Sequence, residues 1–500
     1  MAFLLGIDLG TSSVKAVIID ERTHIRGIGQ REYPLLVPRP GYAEQNAEDW
    51  WQAVVVAVRG AVAQADTRQI DAIGFSGHMH SGVLLDSAHK PVGPAIIWAD
   101  QRTSGLIDEV VSRAGWERFA SIAGTLPAAG FMAPNLYWLQ RNDPQQLDRA
   151  RSVLLPKDYL RFRMTGEIAT EPSDASATAL FDIQQRRWSS VIIEALGLPP
   201  GLWPEVIESS AVAGTLTRTA ADELGLPAGI SAVAGSADQP AQAMGNGLID
   251  PGLGSVTIGT GGQLFAPLLK PRIDERLRLH TFCHAAADRW YLLGAMLSAG
   301  LSLRWLRDVQ GMAQDPDAYE KLASLANEVP PGAGGLFFLP YLVGERAPIM
   351  DPLARGGFIG LTLQHGLGHL TRAIMEGVAF TMRDILDLML ALGTPIEQLL
   401  ASGNGLRNPV WRHIMADVLA RPLRLSTGAE RAGVGAAVLA GQGIGIYKSL
   451  AEVKEAVAMP FEITEPDARR AAIYAEQFAR YRQVYPLLKE TFHSLSRDSR

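Results

Sequence analysis

The sequence predicts an α/β protein of two similar domains that face each other, each built on a mixed sheet. Three observations carry this. The chain has 500 residues, more than one hydrophobic core accommodates. Short apolar strands alternate with helix-like stretches along its length. A unit of strand, Gly-Thr turn and strand stands at the start of the chain and again halfway down it.

In the first unit, residues 3–7 are apolar, Gly10-Thr11-Ser12-Ser13 is turn-like, and 14–19 are mostly apolar again before Asp20. In the second, Ser255-Val256-Thr257-Ile258 runs into Gly259-Thr260-Gly261-Gly262, and Gln263-Leu264-Phe265 resumes the apolar pattern. Residues 72–75, 83–85 and 233–234 read as strands; 49–65 and 369–392 have the spacing of helices. The Gly-rich stretch 244–253, with Pro251, is the expected hinge, and 466–488 a closing helix followed by a polar, frayed end.

Composition narrows the class. With 47% hydrophobic and 20% charged residues, the chain has the make-up of a soluble globular protein. A net charge of −6 argues against a nucleic-acid partner, which needs a basic face. The lone cysteine, Cys283, excludes an intrachain disulfide framework and fits a reducing cytosol; it reads as a small buried hydrophobe before a nucleophile. The acid at Asp8 and the lack of a basic start argue against a signal peptide. The charge-free run between Arg118 and Arg141, broken by Pro127 and Pro134, reads as loops and short helices and not as a membrane span.

Gly-rich turns after strands are natural phosphate cradles, because several backbone N–H groups converge there without side chains in the way. The candidates are Gly10, Thr11 and Ser12 in one turn and Gly259, Thr260 and Gly261 in the other, with hydroxyl donors from Thr11, Ser12 and Thr260. Asp8 stands just before the first turn, where a carboxylate can hold Mg²⁺. One such turn alone is an ordinary hairpin; the pair in opposed domains is what points to a nucleotide. A third cluster, Gly403-Asn404-Gly405, precedes Leu406-Arg407-Asn408-Pro409 and a helix-like run to Leu419. It suits either close approach to an adenine ring or a plain strand-to-helix turn. No Walker A or protein-kinase catalytic motif is present.

Asp8-Leu9-Gly10-Thr11-Ser12, with the second loop and third cluster, resembles the actin, hexokinase and sugar-kinase ATPase superfamily. Gly356-Gly357-Phe358-Ile359-Gly360-Leu361, continued by His369 to Glu376, resembles the second signature of the FGGY carbohydrate kinases. Residues 130–139 resemble the first, with Asn135 where lysine is usual. Further matches are Gly41-Tyr42-Ala43-Glu44-Gln45, Met79-His80, Trp98-Ala99-Asp100-Gln101-Arg102, residues 154–160, His280-Thr281-Phe282-Cys283-His284 and residues 338–348, so the likeness covers nearly the whole chain.

The resemblance implies two ribonuclease H-like domains of the actin and hexokinase type flanking a catalytic cleft. They divide as 1–246, with the sugar site and first phosphate loop, and 247–500, with the nucleotide site. It implies ATP-dependent phosphorylation of a small sugar with Mg²⁺, D-xylulose first and another ketose or polyol such as ribulose, erythritol or arabinitol as the alternative. The expected partners are the sugar and ATP, with no nucleic acid and no membrane; the expected place is the cytoplasm, and a homodimer is left open. A non-catalytic nucleotide-binding regulator is the alternative of a different class.

Single residues follow. From position alone Asp238, in Ala237-Asp238-Gln239-Pro240, suits a helix N-cap. The resemblance makes it the catalytic base instead, with Asp8 as the second catalytic carboxylate and the metal ligand. Met79, His80, Gln239 and Asp100 are implied sugar contacts, although Asp100 and Arg102 suit a structural ion pair equally. His78 and His80, two apart, would share one face of a strand, but no third ligand accompanies them for a metal. Gly403, Gly405 and Asn408 are assigned to the nucleotide. His78-Met79-His80-Ser81 and Ala237-Asp238-Gln239 depart from the family's usual Gln-Met-His-Gly and Gly-Asp-Asn, both around the expected sugar pocket.

Overall fold

The two Gly-Thr turns occupy matching places in two seven-stranded mixed sheets. The computed structural model describes residues 2–65, 67, 69–426 and 428–498. In the first sheet Phe3–Leu9 pairs antiparallel with Ser13–Asp20, which pairs antiparallel with Ile25–Glu32; on its other side Phe3–Leu9 runs parallel to Ala72–Gly77. In the second, Gly252–Ile258 pairs antiparallel with Gly262–Leu268, which pairs antiparallel with Trp290–Met296. On its other side Gly252–Ile258 runs parallel to Ile396–Ser402. The internal duplication suggested by two short turns therefore extends to four strands of each sheet.

Val212–Thr215 and Ser231–Val233 extend the first sheet beyond Ala72–Gly77, and Ser236–Ala237 pairs with the end of that strand. His280–Cys283 edges the second sheet on one side; Leu423–Ser426 and Phe461–Thr464 edge it on the other.

Both faces of the first sheet are covered. The Ala47–Ala65 helix buries Trp50, Val54, Ala57, Val58 and Ala61 against one of them. The other is covered by the Arg431–Gly443 helix, which comes from the far end of the chain. Its approach is so close that a Cβ on Gly6 would stand 1.9 Å from Gly433 O, and one on Gly74 1.9 Å from Ala436 O. Glycines on the sheet and small residues on the helix make this contact, burying Leu4, Val17, Ile19, Val434, Ala437 and Val438.

The second sheet packs one face on the Leu367–Ala391 helix through Met382 and Ile385. The opposite face, with Phe265, Tyr291, Leu293 and Leu400, meets Met79, Ala177, Ala237 and Leu248 from the first half of the chain in a shared buried cluster. The seam between the halves is thus a core in its own right.

Several expectations are adjusted. The 244–253 stretch is packed, with Leu248 and Ile249 buried, because the linker threads between the two sheets. The strand expected at 233–234 is Ser231–Val233, and Ala234 falls outside it. The closing helix runs Ala468–Asp498, ten residues past the expected end, and its Tyr474, Phe478, Tyr481 and Tyr485 join the second core. The last two residues of the expected frayed end lie outside the described residues. Among the described residues no helix is long and apolar enough to cross a membrane.

Candidate active site

The two phosphate-loop candidates are built alike: in each, carbonyls are bonded away so that amides remain. Gly10 N donates to Ser13 O at 3.0 Å and Tyr33 N to Ser12 O at 3.2 Å; the Tyr33 hydroxyl donates to Gly10 O, and Gln45 Nε2 to Thr11 O at 2.6 Å. The Thr11 hydroxyl accepts from Trp98 Nε1 at 2.9 Å. The amides of Thr11 and Ser12 stay uncommitted. In the second loop Gly259 O accepts from Gly300 N, and Thr260 O from Ala299 N and Leu301 N, all at 2.9–3.0 Å, which leaves the amides of Thr260 and Gly261. Uncommitted amides at a strand end make an anion cradle.

Gly403 lies beside the second loop. Its φ of +82° and a Cβ position 2.4 Å from Ile258 O admit only glycine. The Asn404–Arg407 helix follows. Asn408 then caps the Pro409–Leu419 helix, its Oδ1 accepting from Val410 N at 3.0 Å and Trp411 N at 3.3 Å. Gly259, Thr260, Gly405 and Asn408 line one cavity of ≈ 610 Å³ with Gly300 and Tyr319, a volume within the range of small-ligand sites. Residues as far apart as Gly259 and Asn408, read separately from the sequence, so line one cavity.

Asp8 is the next-to-last residue of Phe3–Leu9, beside Ser76 on the parallel strand, whose hydroxyl donates to it at 2.8 Å. Burial raises its pKa; the Ser76 hydrogen bond and the Lys15 charge oppose the rise. Lys15 itself is paired with Glu430 at 2.8 Å.

Asp238 opens the Asp238–Gly245 helix, but Ala237 holds the N-cap position and no side chain caps this helix. The capping alternative therefore fails. Asp238 Oδ1 is buried with no hydrogen-bond partner, and burial, followed by the negative charge of Asp8, raises the pKa to about 7. A carboxylate in this state is a proton acceptor near neutral pH.

The Ala72–Gly77 strand stops before His78, so His78 and His80 are not the strand pair expected. His80 has a φ of +77° and stacks on Phe131 at 3.8 Å, while His78 lies edge-on to Trp50 at 5.6 Å. Burial pushes the His80 pKa down to about 3, so its ring is neutral. With Nδ1 2.6 Å from Ala177 O, Nδ1 carries the hydrogen and Nε2 is left as an acceptor. Met79 is buried in the seam cluster, and Gln239 faces a small polar cavity there with Thr257 and Ser402.

Asp100 is fully buried and its oxygens are committed. Arg102 Nε lies 3.0 Å from both oxygens and its Nη2 2.8 Å from Oδ2, and Ala43 N donates at 2.7 Å. Arg102 also bonds Glu44 at 2.6 Å and lies over the Tyr42 ring at 3.9 Å. Of the two alternatives for this residue, the structure holds the ion pair. Cys283 is buried and its thiol is pushed up to about 12, an inert packing residue.

Sequence reasoning missed the residues that brace the site. Tyr33, Gln45 and Trp98 hold the first loop; Gln45 and Trp98 lie in segments that resemble the family, but nothing local marks their bonds to that loop. Ser173 accepts from Ala237 N at 3.1 Å and joins the segment before Asp238 to a wholly buried group of Lys157, Asp158, Arg161, Glu171 and Asp174. The Arg346 charge, from the second half, bears on both His80 and His280.

Comparison with known proteins agrees with this geometry. Residues 3–245 match the N-terminal domain of the FGGY family of carbohydrate kinases and residues 254–443 its C-terminal domain. The chain is 36% identical over 500 residues to a xylulose kinase of Lactococcus lactis, covering 99% of each chain. It is 37% identical over 490 residues to one of Escherichia coli, covering 97% of this chain and 99% of that one. The structure of a xylulose kinase from Rhodospirillum rubrum superposes with a TM-score of 0.92 at 28% identity, over 98% of this chain and 100% of that one. Two sheets of one plan, paired amide cradles and near-complete coverage by both halves of one family establish that this chain belongs to the FGGY carbohydrate kinases.

Proposed function

We propose that the protein transfers the γ-phosphoryl group of ATP to the terminal O5 of D-xylulose. The observation that carries the chemistry is Asp238: a half-buried carboxylate with one buried, unpartnered oxygen and a pKa of about 7, in a chain with two amide cradles. Asp238 accepts the hydroxyl proton as the sugar oxygen forms its bond to the γ-phosphorus; the bond to the bridging oxygen breaks and ADP leaves. The amides of Thr11, Ser12, Thr260 and Gly261 stabilise the charge that spreads over the phosphoryl oxygens. Asn408, Gly405 and Gly403 shape the nucleotide end, and His80 Nε2 accepts from a sugar hydroxyl, with Met79 and Gln239 beside it.

Asp8 suits Mg²⁺. Among the described residues no group of three or more His, Cys, Asp or Glu could hold a metal, and Mg²⁺ typically takes one or two carboxylates with water and phosphate oxygens. Bound there, the ion would neutralise phosphate charge. The two sheets, each drawn from one side of residue 246, support domains at 1–246 and 247–500, with the Arg431–Gly443 helix of the second packed on the sheet of the first. The unpaired, buried Cys283 supports a reducing compartment, hence the cytoplasm. Whether the chain forms a homodimer is tested by its molar mass in solution.

The substrate reading rests on a likeness to xylulose kinases that spans nearly the whole chain. It is tested by ADP release over a panel of D-xylulose, D-ribulose, gluconate, erythritol and arabinitol. A higher kcat/KM for another sugar overturns D-xylulose; no sugar-stimulated turnover at all overturns the kinase and favours a nucleotide-binding regulator.

A further inference from the structure

Buried polar atoms without partners are rare in native interiors, and Asp238 and two residues near it carry them. Neither carboxylate oxygen of Asp174 is bonded, the Tyr291 hydroxyl has no partner, and Asp238 Oδ1 has none. Asp174 and Tyr291 are wholly buried, so a sugar in the cleft reaches neither.

Three elements bring these groups together. Asp174 lies on the Pro172–Ala175 helix, whose Ser173 accepts from Ala237 N, the amide just before Asp238. Tyr291 comes from the other half of the molecule. It stands on Trp290–Met296, pairs with Phe282, stacks on Phe265 at 4.5 Å and shares its buried cluster with Ala237 and Ala177. The neighbouring strand is tied to the same helical turn, Cys283 N donating to Ser176 Oγ at 3.1 Å.

Charge balance says which group holds a proton. Lys157 Nζ lies 2.7 Å from Asp158, 3.4 Å from Glu171 and 3.8 Å from Asp174, and Arg161 lies 2.8 Å from Asp158. Two cations thus face three carboxyl groups in a dry interior, which favours neutrality. Asp158 is also bonded by Thr170, and Glu171 by Ser209, both hydrogen-bonding groups of Ser173 and the Asp174 amide. Asp174 receives no such donor, and burial raises its pKa well above the usual value. It is the neutral acid of the group, and so a donor, like the Tyr291 hydroxyl. Asp238, whose charge bears on both Asp174 and Tyr291, carries the acceptor, Oδ1.

We propose that Tyr291 and the carboxylic acid of Asp174 are positioning residues for the base, joined through buried water in a hydrogen-bonded relay that ends on Asp238 Oδ1. The relay holds the carboxylate in one orientation and leaves Oδ2 to face the sugar hydroxyl. Since Tyr291 belongs to the second sheet, the base is oriented only when the seam is seated. This rests on the reading of Asp238 as the base.

Tyr291→Phe removes one hydroxyl. As mere packing, loss of an unpartnered buried hydroxyl leaves kcat unchanged and Tm equal or higher. The relay instead lowers kcat about tenfold, with KM for sugar and ATP changed less than about threefold and Tm not lowered. Asp174→Val gives a similar loss, whereas Asp174→Asn, whose amide keeps a donor and an acceptor, retains kcat within about threefold; the double variant of Tyr291→Phe and Asp174→Val is no worse than the poorer single one, because both act through one connection. A kcat within about twofold of the parent in Tyr291→Phe, additive losses, or a Tm lowered by several degrees each overturn the relay. Asp238→Asn, measured alongside, separates the two readings. If it stays active, the base and the relay fall together; if it is inactive while Tyr291→Phe is normal, only the relay falls.

Discussion

Burial and Asp8 together oppose the ionisation of Asp238 and hold its pKa at about 7. The working form is the ionised one, so kcat/KM for the sugar falls as pH drops through about 7, approaching tenfold per unit below it. A profile flat from pH 8 to 5 contradicts this. The same shift bears on stability with the opposite sense. A raised carboxylate pKa favours the fold fully below the ordinary value of 3.8, and that contribution is lost as pH rises through 7. Asp238→Asn therefore lowers kcat by roughly 10²–10⁴, while Tm at pH 8 is unchanged or higher. Activity and melting on one preparation check both. Asp100 behaves in the reverse way: Asp100→Asn leaves the buried Arg102 charge poorly compensated, which costs on the order of 3 kcal/mol. Thermal melting should show that loss, with KM for the sugar little changed in the fraction that stays folded.

Among the elements, the turn after Ile396–Ser402 is the most constrained. Gly403→Ala places a Cβ 2.4 Å from a carbonyl oxygen at a φ of +82°, so the strand end or the Asn404–Arg407 turn must shift. The expected result is a KM for ATP raised more than that for the sugar, together with a lower Tm; an unchanged KM for ATP removes this turn from the nucleotide site. This element was legible in the sequence because glycine announces a backbone need locally. The two hairpins were legible for the same reason, and their helical neighbours by spacing. What escaped depended on distant partners. Nothing near Tyr33 or Gln45 reveals that they bond the carbonyls of residues 10 and 11, and the sequence left Asp100 between a cleft role and the ion pair with Arg102 that Ala43 and Glu44 complete. His80 was misplaced on a strand because the apolar pattern does not show where Ala72–Gly77 ends.

For the whole molecule, sequence order and spatial order part company at the Arg431–Gly443 helix. A fragment of residues 1–246 contains every strand of the first sheet but not this cover, so Leu4, Val17, Ile19 and Ala72 would face water. Expressed alone, the fragment should aggregate or melt without cooperativity; a soluble monomer with a sharp thermal transition contradicts this. The fragment experiment also separates matching to a family domain, which residues 3–245 do, from folding as one.

The same helix means that the chain passes between the halves three times: after Gly245, between Leu423–Ser426 and Arg431–Gly443, and on the way back to Phe461–Thr464. Arg431 gathers all three passages. Its guanidinium bonds Gly245 O, Asn246 Oδ1 at 3.2 Å and Val457 O at 3.0 Å. In mechanical terms this is a rivet: three passages of chain fastened at one side chain resist sliding and separation of the halves at that point.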